Sequence, residues 1–291
     1  MSPFGQLGLW NYNGLDVYEK PTSRAWEEAE VLITVKASPN PSKQYGDTVC
    51  VAGIRVDRDP FQWVRLYPVP FRHLEQDSKF AKYDIIRLRI QPNEKDHRAE
   101  SFRPDMASIQ KIGSLSTSHN WELRHPYVQP MADRWTMCSI RRAHEAGGPA
   151  PSLAMVRPRE IKGFTIDRHP GWSEDQKASM RALDDQGDLF DQARTASINH
   201  ARVLEAPRYR GMFRYLCEDD ACRSHEGTLL DWEFTALDRT LRADSDDTAK
   251  RKIYDKYMGQ VCAVDHQPLF FVGNLMKHPR SYSILGVYRT A

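Results

Sequence analysis

Two cysteines and a histidine lie within nine residues of one another, and this cluster constrains the fold more than any other feature of the chain. Cys217, Cys222 and His225 are spaced C-x4-C-x2-H, and the segment between them also carries acidic residues. Cysteine sulfur and histidine nitrogen are the ligands that Zn²⁺ takes in tetrahedral sites. We therefore expect Zn²⁺ to bind here and to hold the C-terminal half of the chain together.

The spacing does not identify the fourth ligand. Candidates elsewhere in the sequence are Cys262, His266, His200 and a carboxylate such as Asp231. A site with four protein ligands would be structural, whereas three ligands and a water would leave a position open for catalysis. The alternative without a metal is a chance meeting of two cysteines and a histidine in an acidic surface loop.

Composition places the chain among folded proteins of ordinary charge. Its 291 residues are 40% hydrophobic and 27% charged, which suits one large domain or two ordinary ones. The N-terminus lacks a basic start followed by an apolar core, and five cysteines do not suggest a disulfide framework. We expect a cytoplasmic protein.

A net charge of +2 means that any surface for a polyanion must arise from local clustering of basic residues.

The first third of the chain is typical of a small antiparallel β-barrel. Three short segments rich in β-branched and aromatic residues are bounded by Asp, Pro or Gly: 49–56, 62–67 and 84–90. In the second segment Val64 and Leu66 fall on one face, and in the third the odd-numbered Arg87 and Arg89 alternate with isoleucine and leucine. One apolar face for each strand predicts a sheet that curls around its own core.

The remaining sequence predicts an α+β unit. We divide the chain into a β-rich barrel-like domain at 1–105, a mixed connecting region at 106–152, and an α+β domain with the Cys/Cys/His site at 153–291. Apolar periodicity in the last domain predicts helices over Thr228–Arg242 and Asp246–Met258, with Gly259 as the stop of the second. The fold class is therefore α+β, with an N-terminal barrel packed against a C-terminal unit that zinc holds together.

Aromatic and basic residues alternate on the polar faces of the predicted strands. Rings interleaved with arginine are what single-stranded or extruded nucleotides use for stacking. The alternative is that the second half of the protein covers these rings, or that the basic loop near the C-terminus is an ordinary exposed loop. The predicted nucleic-acid-binding residues are Trp63, Arg65, Tyr67, Arg72, Arg87, Arg89, Lys277, His278 and Arg280.

Asp231 and Glu233 flank a tryptophan just after the cysteine cluster and are the predicted catalytic residues. On a helix they would diverge by about 200°, so one of them would act alone, as a base that activates water or as a negative charge beside a cationic transition state. Alternatively, their negative charges only stabilise the N-terminus of a helix, through a favourable interaction with the helix dipole. The segment supplies no nearby lysine of the kind a metal-dependent nuclease often uses.

Several other enzyme classes are disfavoured by motifs that the sequence lacks. The chain contains no Walker loop, no G-x-G-x-x-G and no G-x-S-x-G. The H-x-E and P-C-x-x-C pair of zinc deaminases is also absent.

Three sequence phrases together resemble a known group of proteins. They are TVCVAGI with WVRLYPVPFR, C-x4-C-x2-H with DWE, and FFVGN with HPRSYSILGVYR. The chain resembles a poorly characterised group of bacterial proteins associated with phage-defence and mobile-element loci. The resemblance implies action on foreign DNA and transfers no catalytic residue.

These observations lead to one leading hypothesis and two alternatives. We predict an intracellular, zinc-containing protein that interacts with DNA in antiviral defence and excises a modified base as a DNA glycosylase, since that reaction needs a pocket for an extruded base, an aromatic wall and one carboxylate. The alternatives are a metal-dependent nuclease, which would cut the backbone, and a non-catalytic zinc-containing module that recognises nucleic acid.

Overall fold

Two six-stranded sheets organise the protein, which we describe from a computed structural model. The structure describes residues 19–38, 49–69, 79–178, 180 and 204–290. The strands are β1 (Glu27–Lys36), β2 (Val49–Arg55), β3 (Gln62–Val69), β4 (Asp84–Pro92), β5 (Ser101–Pro104), β6 (Gln110–Ser114), β7 (Leu153–Val156), β8 (Pro158–Arg168), β9 (Tyr209–Cys217), β10 (His225–Leu229), β11 (Leu269–Leu275) and β12 (His278–Tyr288). The α-helices are α1 (Ser118–Trp121), α2 (His125–Val128), α3 (Met137–Glu145), α4 (Trp232–Thr240) and α5 (Asp246–Tyr254).

The first sheet closes into a five-stranded barrel. Its order is β1-β2-β3-β5-β4, and β4 pairs with β1 to complete the ring, while β6 extends from β4. The predicted alternation holds, because Val64 and Leu66 of β3 and Ile86 and Leu88 of β4 fill the interior. The barrel is thus confirmed. The sequence predicts an antiparallel barrel, but one pair of neighbouring strands is parallel. Strand β3 pairs in parallel with β5, at Leu66 of β3.

The second sheet lies between the barrel and three helices. Its order is β7-β11-β12-β10-β9-β8. Because neighbouring side chains of a strand face opposite ways, Phe270 of β11 packs in the core shared with α3, α4 and α5, whereas Phe271 packs against the outside of the barrel. The C-terminal part is therefore an α+β unit, and the α+β class is confirmed.

The outer faces of β1, β2 and β3 are buried against the second sheet. Leu32, Ile54 and Trp63 from the barrel share one buried cluster with Leu153 and Phe271 from the second sheet. Residues of the predicted connecting region join both units, because β6 belongs to the barrel sheet and α3 packs in the core of the second unit.

Two predicted helix boundaries are wrong for reasons of tertiary pairing. Thr228 still belongs to β10, where it pairs with Met212 of β9, so α4 begins only after Asp231. Gly259 does not stop the following helix, because α5 continues into a π-helical segment over Asp255–Val261. Among the described residues, no helix has both the length and the apolar character needed to cross a membrane.

Candidate metal centre and junction site

Four metal-ligating side chains converge in the second unit: Cys138, Cys217, Cys222 and His225. Their ligand atoms all lie within 4.8 Å of one another. His225 Nε2 is 3.3 Å from Cys138 Sγ and 3.4 Å from Cys217 Sγ. A tetrahedral Zn²⁺ with its usual bond lengths places a sulfur and a nitrogen ligand roughly 3.5 Å apart, so the side chains already stand at the spacing of a metal shell.

Three elements position these ligands. Cys217 ends β9, Cys222 lies in the turn that follows, and His225 begins β10. Cys138 comes from the first turn of α3, whose start is fixed by a capping box between Thr136 and Ser139. The cluster thus joins a β-hairpin to a helix that lies far upstream in the sequence.

Cys138 is the fourth member of the cluster, and none of the predicted candidates for the fourth ligand lies there. Cys262 is buried in the hydrophobic core outside the cluster, and His266 contacts the carbonyl oxygen of Gln260 through Nδ1. Asp231 lies in a different site, and His200 is outside the described residues.

Electrostatics favour a cation at the centre of the cluster. Burial, and then the neighbouring thiols, raise the pKa of Cys138 to about 12. Burial acts in the same direction on Cys217, but the hydrogen bond with His225 lowers the pKa of that thiol. Because thiolates crowded into one small volume repel one another, a divalent cation at the centre of the cluster would stabilise them. The Arg142–Asp219 ion pair, at 2.7 Å, further holds α3 against the cysteine turn.

A second polar cluster lies where the barrel meets the second unit, and we call it the junction site. Lys82 Nζ, which precedes β4, is 3.0 Å from Asp231 Oδ2 and 3.2 Å from Glu233 Oε2. The side chains of Lys82 and Asp231 are only 4% and 2% exposed, whereas that of Glu233 is 61% exposed. The two predicted catalytic carboxylates therefore do meet, through a lysine that the local sequence did not supply.

Asp231 is held by the backbone as well as by Lys82. It is the N-cap of α4, and its Oδ1 accepts a hydrogen bond from the backbone N–H of Glu233 at 3.1 Å. Its own backbone forms a β-bridge with Ala37, and Ser38 Oγ donates to its carbonyl oxygen. A residue at the N-cap lies outside the helix, so the divergence expected for two helical positions does not apply.

The ion pair sets the charge state of the junction site. Burial alone would lower the pKa of Lys82, but Asp231 and Glu233 more than offset this and raise it, so the ammonium stays protonated. Burial raises the pKa of Asp231, and Lys82 opposes that rise. Gly286 leaves the space for this pair, because a Cβ at that position would stand 3.3 Å from Lys82 Nζ and 3.4 Å from Asp231 Oδ2.

Aromatic rings and a guanidinium group form one wall of the junction site. The guanidinium of Arg124 lies 3.6 Å from the ring centroid of Tyr83 and 4.7 Å from that of Trp121, and Trp121 packs edge-on against Tyr288 at 5.1 Å. Tyr83 and Trp121 both have φ of +67°, a strained conformation for aromatic residues that is enriched at functional sites. The buried hydroxyl of Tyr83 has no hydrogen-bond partner among the described residues.

The predicted nucleic-acid surface on β3 does not form. Trp63 is 9% exposed and Arg65 only 3%, because both face the second unit rather than solvent. Trp63 contacts Phe271 edge-on at 6.0 Å, and Arg65 donates to the carbonyl oxygen of Ser152 at 3.1 Å. Tyr67, on the same face, is half-buried. The strand alternation was predicted correctly, but the covering of this face by another sheet was not.

The other predicted contacts lie in separate places. Arg87 is half-buried and pairs with Glu30, whereas Arg89 is exposed and pairs with Asp105. Arg72 lies outside the described residues. Lys277, His278 and Arg280 are exposed where β11 turns into β12, and their contact with nucleic acid stays a prediction.

Sequence reasoning missed Cys138 and Lys82 as site residues. Apolar periodicity over 133–145 indicates a short helix with Cys138 on its inward side, but periodicity does not identify what that side faces. Lys82 precedes a strand by two residues, and only the closure of the barrel against the second unit brings it to Asp231.

Comparison with known families divides the chain in the same way as the two sheets. Residues 133–291 match a family model described as a domain of unknown function (DUF8757), and residues 27–130 match a second one (DUF8758). Because the first match spans more than half of the chain, the protein belongs to the DUF8757 family. No curated protein and no solved structure matches the chain.

Proposed function

We propose that this protein is an intracellular DNA glycosylase that contains structural Zn²⁺ and excises a modified base from foreign DNA. The observation that carries the proposal is the junction site, where the exposed carboxylate of Glu233 lies beside Lys82 and close to the aromatic wall. The context of antiviral defence comes from the sequence resemblance.

The chemistry of base excision suits these groups. Water adds to C1′ of the sugar while the bond to the base breaks; the water loses its proton to the carboxylate, and the departing base takes up a proton from solvent. The transition state carries positive charge on the sugar, so a nearby carboxylate both stabilises it and takes the proton of the attacking water. Glu233 is the carboxylate that solvent and substrate reach, and protonated Lys82 lies beside it. Asp231 fixes the position of Lys82.

The aromatic wall offers a surface for the extruded base. Trp121 is half-buried and provides a ring for stacking, while buried Tyr83 packs behind it. Arg124 carries positive charge beside both rings.

We assign the metal as Zn²⁺ in a structural role. Three thiolates and one imidazole are the donor set that Zn²⁺ prefers, and four protein ligands leave no open position for a substrate or water. The metal would therefore stabilise the second unit, and the reaction would take place at the junction site.

A metal-dependent nuclease is the second candidate, and one observation favours it. A metal-dependent nuclease often has a lysine beside its carboxylates. The sequence around Asp231 and Glu233 lacks one, but the fold brings Lys82 to them. Two carboxylates and a lysine could hold Mg²⁺ and a phosphate, and the product would then be a cut backbone rather than an abasic site.

One assay separates these functions. Plain and phage-modified DNA are incubated with the protein, with and without Mg²⁺, and strand breaks are measured before and after alkali. The proposal predicts breaks that appear only after alkali, that need no Mg²⁺, and that Glu233→Gln abolishes. Glu226→Gln, at an exposed position of β10, is the matched control and should keep full activity. Direct breaks that need Mg²⁺ would establish the nuclease instead, and binding without any break would leave a recognition module.

A further inference from the structure

A cleft of about 280 Å³ lies between the two units, at the end of the interface away from the junction site. Its floor is formed by buried residues, among them Trp63, Trp135 and Met131. Exposed residues form its rim, among them His97 and Pro279, so the cleft opens to solvent. A cavity of this size lies just below the range of roughly 300–1,000 Å³ that is typical of small-molecule sites, so it suits one compact ring-bearing ligand.

The cleft is richer in cations than in carboxylates. Lys20, Arg98 and Arg134 line it, and its only lining carboxylate is Glu100 among the described residues. Glu100 Oε1 is already engaged, since it accepts hydrogen bonds from the backbone N–H groups of Ser152 and Leu153, each at 3.0 Å. Arg98 is paired with Asp96, which offsets one of the positive charges.

Arg65 adds a further positive charge behind this wall. Its guanidinium donates to the carbonyl oxygen and hydroxyl of Ser152, a lining residue, at 3.1 and 3.3 Å. No carboxylate among the described residues lies within ion-pairing distance of Arg65, and its buried Nε has no partner. Burial disfavours the charged guanidinium, but Cys50, Glu100 and Asp96 lie near enough to offset this and raise the pKa of Arg65. An anion in the adjacent cleft would add to this compensation.

We propose that the cleft binds one nucleotide, with its base against the tryptophan floor and its phosphate at the cationic side. Rings of tryptophan stack on any nucleobase, and such stacking contributes about 1–3 kcal/mol per base. Arginine and lysine recognise phosphate by charge-assisted hydrogen bonds. The same chemistry fits a free mononucleotide and a nucleotide extruded from a strand.

This site is separate from the junction site and does not depend on the proposed reaction. Strand β12 connects the two, from Pro279 at the rim of the cleft to Gly286 beside the Lys82–Asp231 pair. Seven residues of extended chain span roughly 20 Å. If the base-excision assay gives no product, the proposal of nucleotide binding is not affected. If no nucleotide binds, the base-excision proposal is still tested by its own assay.

The test uses the full-length Glu233→Gln variant, so that no turnover interferes. Deoxynucleoside 5′-monophosphates, the corresponding deoxynucleosides, inorganic phosphate and a short single-stranded oligonucleotide are titrated by calorimetry and tryptophan fluorescence. We expect one monophosphate per chain, bound at least about tenfold more tightly than the deoxynucleoside or phosphate alone. Binding of the oligonucleotide but not of the monophosphates, with the same dependence on Arg134, would identify a strand as the source of the nucleotide.

Arg134→Glu should weaken binding at least about tenfold, and Arg134→Lys, which keeps the charge, should recover most of the affinity. Arg141→Glu, at an exposed position of α3 outside the cleft, is the matched control and should bind as before. The proposal is overturned if neither ligand binds at about 1 mM, if phosphate alone binds as well as the monophosphate, or if Arg134→Glu binds normally while it remains folded by circular dichroism.

Discussion

Cys138 is the member of the cluster that comes from a helix, and together with the Arg142–Asp219 ion pair it links α3 to the β9–β10 hairpin. Replacing it by serine removes one thiolate and leaves a site with three ligands. We expect Cys138→Ser to bind metal less than stoichiometrically and to lose roughly 3 kcal/mol or more of unfolding free energy, because a lost structural metal is among the largest single-residue effects. Metal analysis and urea unfolding measure both quantities.

Cys262→Ser is the control for this experiment, since Cys262 is also buried in the second unit but lies outside the cluster. It should keep the full metal content, with a smaller loss of stability from packing alone. Equal metal content in the Cys138 and Cys262 variants would show that Cys138 is not a ligand.

Asp231 and Glu233 share one lysine but differ in burial, so their replacements should have different effects. Asp231→Asn leaves the buried ammonium of Lys82 with only the exposed Glu233, and breaking a buried pair costs about 3–5 kcal/mol. Glu233→Gln should change stability by less than about 0.5 kcal/mol but remove activity. Urea unfolding and the base-release assay together test this split. Loss of activity in Asp231→Asn alone, with Glu233→Gln fully active, would assign the reaction to Asp231.

The loop between β4 and β5 ties the barrel to the β11–β12 hairpin and should give the protein a pH-dependent contact. Arg98 pairs with Asp96 at 2.6 Å and donates to the carbonyl oxygen of Asn274 at 2.8 Å. Burial would raise the pKa of Asp96, but Arg98 and Ser101 lower it from 3.8 to about 2. A carboxyl group whose pKa is lower in the folded state stabilises the protein above its unfolded pKa, and this contribution is lost as pH falls toward the folded pKa.

We therefore expect Asp96→Asn to cost about 2 kcal/mol at pH 6, and less than half of that near pH 2.5. Urea unfolding of both proteins at each pH gives the difference, in which any loss of metal common to both cancels. A difference that stays constant or grows toward pH 2.5 would contradict the ion-pair account.

Periodic elements were predictable from the sequence, whereas elements whose ends depend on tertiary pairing were not. Strands β3 and β4 alternate between residues that face the barrel interior and residues that face outward, so local sequence defines them. Thr228 and Leu229 fit a helical apolar pattern equally well, but pairing with β9 and β12 holds them in a strand. In the same way the Cys/Cys/His motif was visible because it is local, and Cys138 was not because it reaches the site only through packing of α3.

At the scale of the whole molecule, the two units share one buried interface and should unfold together. Trp63 belongs to the barrel but lies in the cluster that also contains Leu269 and Phe271 of β11. Trp63→Ala should lose about 3–5 kcal/mol and should also expose amides of β11 to hydrogen exchange. Loss of protection confined to the barrel would show that the units are energetically independent.

The same interface explains why Trp63 and Arg65 are buried instead of lying on an exposed nucleic-acid surface. Alternation correctly placed Trp63 and Arg65 on the outside of the barrel, but it does not distinguish a face that meets solvent from one that meets another sheet. The lysine of the junction site was missed for the same reason, because Lys82 and Asp231 come from different units.

X-ray absorption spectroscopy of the purified protein, with metal analysis, tests most directly the claim that a closed metal centre supports a reaction site located elsewhere. We predict one Zn²⁺ per chain, with about three sulfur ligands at roughly 2.3 Å and one nitrogen ligand at roughly 2.0–2.1 Å. A protein without stoichiometric metal, or a shell that contains a water oxygen in place of the Cys138 sulfur, would contradict the account.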